Sequence, residues 1–156
     1  YKTSMIQIAL FEPEIPPNTG NIIRLCANTG FTLHLIEPLG FNVDDKSLRR
    51  AGLDYHAHAS MTIHKDFDTF HSHFKNSRIF SITTKAKQDY TSIEYQKNDI
   101  LLFGPESRGL PENIRTMFPQ IRIPMQPDSR SLNLANSVSI VMYEAWRQFG
   151  FDGRVE

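Results

Sequence analysis

Five short apolar runs, each about one strand long, recur along this chain, and this alternation most restricts what it can fold into. They are Met5 to Phe11, Phe31 to Glu37, Arg78 to Thr83, Asp99 to Phe103 and Gln120 to Ile123. Most end abruptly at Pro or Gly: Pro13 after the first, Pro38 and Gly40 after the second, Gly104 and Pro105 after the fourth, Pro124 after the last. Segments of helical period lie between or after them: Gly20 to Thr29, Asp44 to Ala51, Asp66 to Phe74, Leu110 to Met117 and Leu132 to Phe149. Strands alternating with helices predict an α/β fold, a mostly parallel sheet with helices on both faces. Ligands of such sheets gather at the carboxyl ends of strands. The loops after Thr83, Phe103 and Ile123 are three such ends.

Local chemistry sharpens each element. Glu12-Pro13-Glu14-Ile15-Pro16-Pro17 can neither extend a strand nor enter a helix interior, so Asn18 or Thr19 is the expected cap of the first helix. Gly30 suits its end. Asn21, Arg24 and Asn28 are spaced three and four apart and share one helix face. A solvated face is one reading of that stripe, yet it carries neither Lys nor Glu. Phe67, Phe70 and Phe74 fall on one face of a short helix and read as core. In the last helix Leu134, Val138, Val141, Met142, Ala145, Trp146 and Phe149 form the main stripe. Ile140 and Tyr143 lie off it, a pattern that suits burial on a second side, as against another subunit.

Composition narrows the class. At 156 residues the chain suits one domain with its own core. Met5 is the expected natural start, with residues 1–4 a leader and 5–156 the domain. Lys plus Arg equals Asp plus Glu at 17 each, so any basic surface must be local or shared between subunits. The one cysteine, Cys26, rules out an internal disulfide and a multi-cysteine zinc site and fits a reducing, cytoplasmic setting. No apolar run reaches the roughly 20 residues of a membrane span. His56-x-His58 and His71-x-His73 have ligand-like spacing, but nothing completes a set. No metal is expected, and these histidines, with His64, read as surface residues.

The loops limit the chemistry. No G-x-G-x-x-G follows the first strand. Gly104 to Gly109 has phosphate-loop spacing, but Leu110 and Pro111 stand where Lys and a hydroxyl residue would be. Ser131 could cap the last helix, touch a ligand or act as a nucleophile; no G-x-S-x-G surrounds it. What remains is a site of backbone donors, small hydroxyls and amides, with Glu106 and Arg24 as its charges. Such a site suits a substrate whose reactive group arrives on a bound donor.

Three stretches carry a family resemblance: Pro16-Pro17-Asn18-Thr19-Gly20-Asn21-Ile22-Ile23-Arg24, Phe103-Gly104-Pro105-Glu106-Ser107-Arg108-Gly109-Leu110-Pro111, and Ile123-Pro124-Met125 through Ser131-Leu132-Asn133. They resemble the three motifs of the SPOUT class of RNA methyltransferases, with no departure within them. The match is closest to the minimal tRNA (cytidine/uridine-34) 2′-O-methyltransferases, the TrmL or YibK type. It runs in order from Met5 to about Gly153. The resemblance implies a C-terminal trefoil knot, a homodimer with the active site completed across the interface, and S-adenosylmethionine as methyl donor. It places the donor among Ile82, Thr83, Gly104, Ile123, Ser131 and Leu132. It makes Arg24, Asn18, Glu106 and Asn133 the catalytic group, with Arg24 central and the others positioning substrate or donor. The partner is tRNA, with neither DNA nor membrane. RNA contacts are expected at Lys46, Arg49, Arg50 and Lys85, joined by Lys87, although these could equally be solvated surface. A base-directed methyltransferase on the same scaffold and an inactive donor- or RNA-binding module are the rival readings.

Overall fold

The structure, a computed structural model, describes residues 5–44, 46, 50, 60–129 and 131–156. Seven parallel strands form one sheet: β1 (Gln7–Phe11), β2 (Thr32–Ile36), β3 (Met61–His64), β4 (Ile79–Ile82), β5 (Gln88–Asp89), β6 (Ile100–Phe103) and β7 (Gln120–Arg122), in the spatial order β3-β2-β1-β6-β4-β7-β5. Among the described residues four α-helices accompany them: α1 (Pro16–Thr29), α2 (Phe67–His73), α3 (Glu112–Arg115) and α4 (Leu134–Gln148).

The central strands are buried on both faces, as a parallel sheet covered by helices requires. Ile8 of β1 sits level with Leu33 of β2 and Leu101 of β6. These three join Leu10, Leu35 and Phe103 on the face covered by Ile22 and Cys26 of α1 and Val138, Val141 and Met142 of α4. The alternate residues Ala9, Phe11, Ile36, Ile100 and Leu102 point the other way, onto Phe70 of α2 and Ile114 of α3. The expected two-faced α/β architecture is therefore what the chain adopts. α1 and α4 lie side by side, and the Thr29 hydroxyl, 3.5 Å from the Met142 sulfur, donates to it.

Helix boundaries differ from expectation in instructive ways. Neither Asn18 nor Thr19 caps α1; Ile15 occupies that position and makes no side-chain cap, and Pro16 and Pro17 form the first turn. Proline is tolerated there because its missing N–H would have no helical acceptor. Gly30 ends the helix in the left-handed region, at φ 80°, and donates to Cys26 O at 2.8 Å. The last helix begins at Leu134, and its cap is Asn133, not Ser131: Asn133 Oδ1 accepts from Asn136 N–H at 3.1 Å. Asp66 caps α2 by accepting from Thr69 N–H at 2.8 Å, and Phe70 is fully buried as expected.

Two strands, β3 and β5, lie where no strand was expected. β3 overturns the view of His64 as a surface residue, since it is buried against His34 at a ring nitrogen separation of 2.9 Å. The expected helix over 44–51 and the His56-x-His58 pair fall largely or wholly outside the described residues.

Candidate active site

The sheet order decides where the motif loops meet. β1, β6, β4 and β7 are consecutive neighbours, so the segments leaving their carboxyl ends emerge side by side. Together with the residues before α4 they enclose a cleft of about 560 Å³. All six residues expected to hold a donor line it: Ile82 at the end of β4 and Thr83 just after it, Gly104 after β6, Ile123 after β7, and Ser131 and Leu132 before α4. Asn18, Glu106 and Asn133 line it too.

The Gly104 turn is tight by necessity. A Cβ on Gly104 would overlap the backbone of Gly109 and Leu110, so the loop can fold back on its own start only with glycine there. Gly109 stands at φ 67°, again in the left-handed region.

Glu106 spends both carboxylate oxygens on the chain itself. Oε1 accepts from Glu14 N–H at 2.8 Å; Oε2 accepts from Ile15 N–H at 3.1 Å and from Asn18 Nδ2 at 3.2 Å. α1 has no acidic residue in its first turn and no side-chain cap of its own. A carboxylate from a distant loop therefore supplies the negative charge that a helix start favours. Asn18 passes the connection on: its Oδ1 accepts from Asn133 Nδ2 at 3.1 Å. Asn133 in turn caps α4. One hydrogen-bonded line thus runs Glu106–Asn18–Asn133 and joins all three motifs. Asn18 is only 8% exposed, so these bonds satisfy an amide that burial would otherwise penalise.

The other expected residues are placed differently. Arg24 is exposed on α1, and so are Asn21 and Asn28, but Arg24 is not part of the cleft lining. Lys85 lines the cleft mouth, where Thr83 Oγ1 accepts from Lys85 N–H at 3.1 Å. Lys46 and Arg50 are exposed, Lys87 is exposed, and Arg49 lies outside the described residues. Sequence reasoning missed Glu14, Ser107 and Arg108 as site residues; only the place of Ser107 and Arg108 inside the second motif, and of Glu14 just ahead of the first, hinted at them. Cys26 is no nucleophile, because burial pushes its thiol far up from its ordinary range. Among the described residues no cluster of His, Cys, Asp or Glu could hold a metal, and no helix is long and apolar enough to cross a membrane.

Residues 5–143 match the model of the SpoU rRNA Methylase family. The chain belongs to this family. Among its SpoU relatives is the tRNA (cytidine(34)-2'-O)-methyltransferase of Escherichia coli strain K12, 58% identical over 97% of this chain and 98% of the relative. The protein of the same name from Yersinia pestis is 59% identical over 96% of this chain and 97% of its own. A solved structure described as "Structural insights into the 2-OH methylation of C/U34 on tRNA" superposes with a TM-score of 0.90 at 42% identity, covering 94% of this chain and 97% of that one. The fold of this chain is thus shared over nearly its whole length with that solved structure.

Proposed function

We propose that this SpoU-family chain transfers a methyl group from S-adenosylmethionine to the ribose 2′-oxygen of the wobble nucleotide, cytidine or uridine 34, of a tRNA. One observation carries the reading: three motifs far apart in sequence converge on one cleft and are tied together by the Glu106–Asn18–Asn133 line. High identity over nearly the full length of relatives bearing that activity supports the choice of substrate.

The cleft fits the donor. Its volume of about 560 Å³ suits a nucleoside-sized ligand. Ile82, Leu110, Ile123, Leu132 and Leu134 offer apolar walls for an adenine, and the strand ends offer backbone polar groups for its edges and for the ribose. When bound, the donor supplies an already activated methyl on a sulfonium. The chain's task is then to align the ribose and to let its hydroxyl proton leave.

Arg24 suits that task as an orienting cation. A guanidinium stays protonated in proteins and cannot serve as the base, but its fork can hold the phosphate beside the target ribose, whose oxygen takes the proton. Arg24 is exposed and lies off its own chain's cleft lining, which supports a homodimer in which the Arg24 of a second copy faces the cleft. α1 and α4 would form that interface, where Tyr143 is 41% exposed. The trefoil threading of the C-terminal part belongs to the same proposal, as do Lys46, Arg49, Arg50 and Lys85 as phosphate contacts and a cytoplasmic place of action beside tRNA.

The test is to incubate the protein with labelled donor and unmodified total tRNA, then digest and map the label. A 2′-O-methyl nucleoside at position 34 is the expected product. Label on a base ring, or none transferred, overturns the reading.

A further inference from the structure

The segment Glu12 to Ile15 and the loop Gly104 to Gly109 hold each other by carboxylates running in both directions. Glu106 reaches out of the loop to the N–H groups of Glu14 and Ile15. Glu14 reaches back: one oxygen accepts from Ser107 N–H at 2.9 Å and the other from the Ser107 hydroxyl, also at 2.9 Å. Arg108 donates to Glu12 at 2.8 Å and comes within 3.9 Å of Glu14.

The segment is fixed from behind as well. Glu12 adopts φ 49°, a left-handed conformation that a non-glycine residue keeps only where its surroundings hold it. Gly40 N–H donates to Pro13 O at 2.9 Å, and a Cβ on Gly40 would come within 2.8 Å of Glu14 Cα. Segment 12–15 therefore has little room to move.

The two sides of this clasp serve different ends. Ser107 and Arg108 belong to the wall of the cleft, whereas residues 12–15 lead directly into α1, which presents Asn18 to the same cleft. Whatever fixes one against the other fixes the spacing between the loop wall of the cleft and the Asn18 end of α1.

We infer that Glu14 is a positioning residue for the methyl transfer, holding the Ser107 loop at a set distance from α1. This rests on the proposed function. Both of its bonds join an ionised carboxylate to a neutral donor, the stronger class of hydrogen bond. Glu14 itself is not part of the cleft lining, so the loss of its bonds is expected to show in turnover and not in affinity. An in-line transfer loses about a hundredfold in rate for a misplacement of about 1 Å.

The experiment compares wild type with Glu14→Ala and Glu14→Gln. Four quantities are read: kcat on tRNA at saturating donor, donor Kd by calorimetry, tRNA Kd, and amide hydrogen exchange at Ser107. For Glu14→Ala, kcat is expected to fall about 10- to 100-fold. Both Kd values should stay within about threefold, while Ser107 exchanges faster. Glu14→Gln keeps the shape and one acceptor oxygen, so it recovers part of kcat; it also serves if the alanine variant fails to fold. A kcat within about twofold of wild type in the variants, or donor and tRNA affinities lost in step with kcat, overturns the inference alone. A wild-type protein that moves no methyl to tRNA overturns the underlying reading, and the inference with it.

Discussion

Asn18 donates to Glu106 and accepts from Asn133, so one amide spans two motifs that lie 88 and 115 positions away. Both ends of the amide are used, and the orientation of its oxygen and nitrogen follows from the partners. Arg24, on the same helix, is exposed and carries the charge that the proposed reaction needs at the ribose. Arg24→Ala is expected to lower kcat about 100-fold or more, the scale of losing one preorganised charge contact. Arg24→Lys keeps the charge but loses the planar fork, and should recover little. Donor affinity should be unchanged in both. Rates measured with labelled donor decide it; wild-type turnover by either variant at unchanged RNA affinity removes Arg24 from the reaction.

At the scale of elements, the β1–β2–β3 edge holds a buried polar line of its own. Gln7 Oε1 accepts from His34 Nε2 at 2.7 Å, so the other nitrogen of neutral His34, Nδ1, is an acceptor. His64 Nε2 donates to it at 2.9 Å. Phe70 and Phe74 of the α2 region pack their rings edge-on against His34, with centroids 5.7 and 5.0 Å away. Burial first, and then the nearby His64, push the His34 pKa down to about 4. His64 is lowered too, by burial and by His73. An unfolded chain would titrate these groups near an ordinary value of about 6.5. Between those values the unfolded state binds more protons, so stability is full above about pH 6.5 and falls as pH drops toward about 4. The His34 part is of order 3 kcal/mol at its limit. Urea unfolding from pH 7.5 to 4.5 should show this loss, and His34→Gln should flatten it by about one proton. An equal slope in that variant would mean the pair is not the acid-sensitive element.

On the scale of the whole molecule, the exposed α1 and α4 face carries Asn21, Arg24, Asn28 and Tyr143. Placing a negative charge on that face by Tyr143→Glu should split the proposed homodimer. Sedimentation should then give the single-chain mass of 18.0 kDa. Methylation should fall with it if the second copy completes the site; a wild-type protein that already sediments at the single-chain mass ends the dimer proposal.

How far the sequence speaks for itself follows from the range of the forces concerned. The central strands were legible because a strand buried on both faces is a continuous apolar run, as in Ile100 to Phe103. Gly30 and the Phe70 face were legible because their signals lie within one or two helical turns. β3 was not, since His64 is buried by a partner 30 positions away that no local pattern announces. The start of α1 was misplaced for the same reason: its negative charge comes from Glu106, 92 positions beyond Glu14.

The sequence by itself determined the class of fold and the loops that matter, because periodicity and turn chemistry act between near neighbours, and its resemblance to a family picked out the three motifs. Only the tertiary structure decided that Glu106 and Asn18 are bound to each other, that Glu14 answers Glu106, and that Arg24 stands off its own cleft. Those facts depend on which strands become neighbours, and the order β1-β6-β4-β7 joins segments roughly ninety residues apart, a distance across which composition and spacing carry no information.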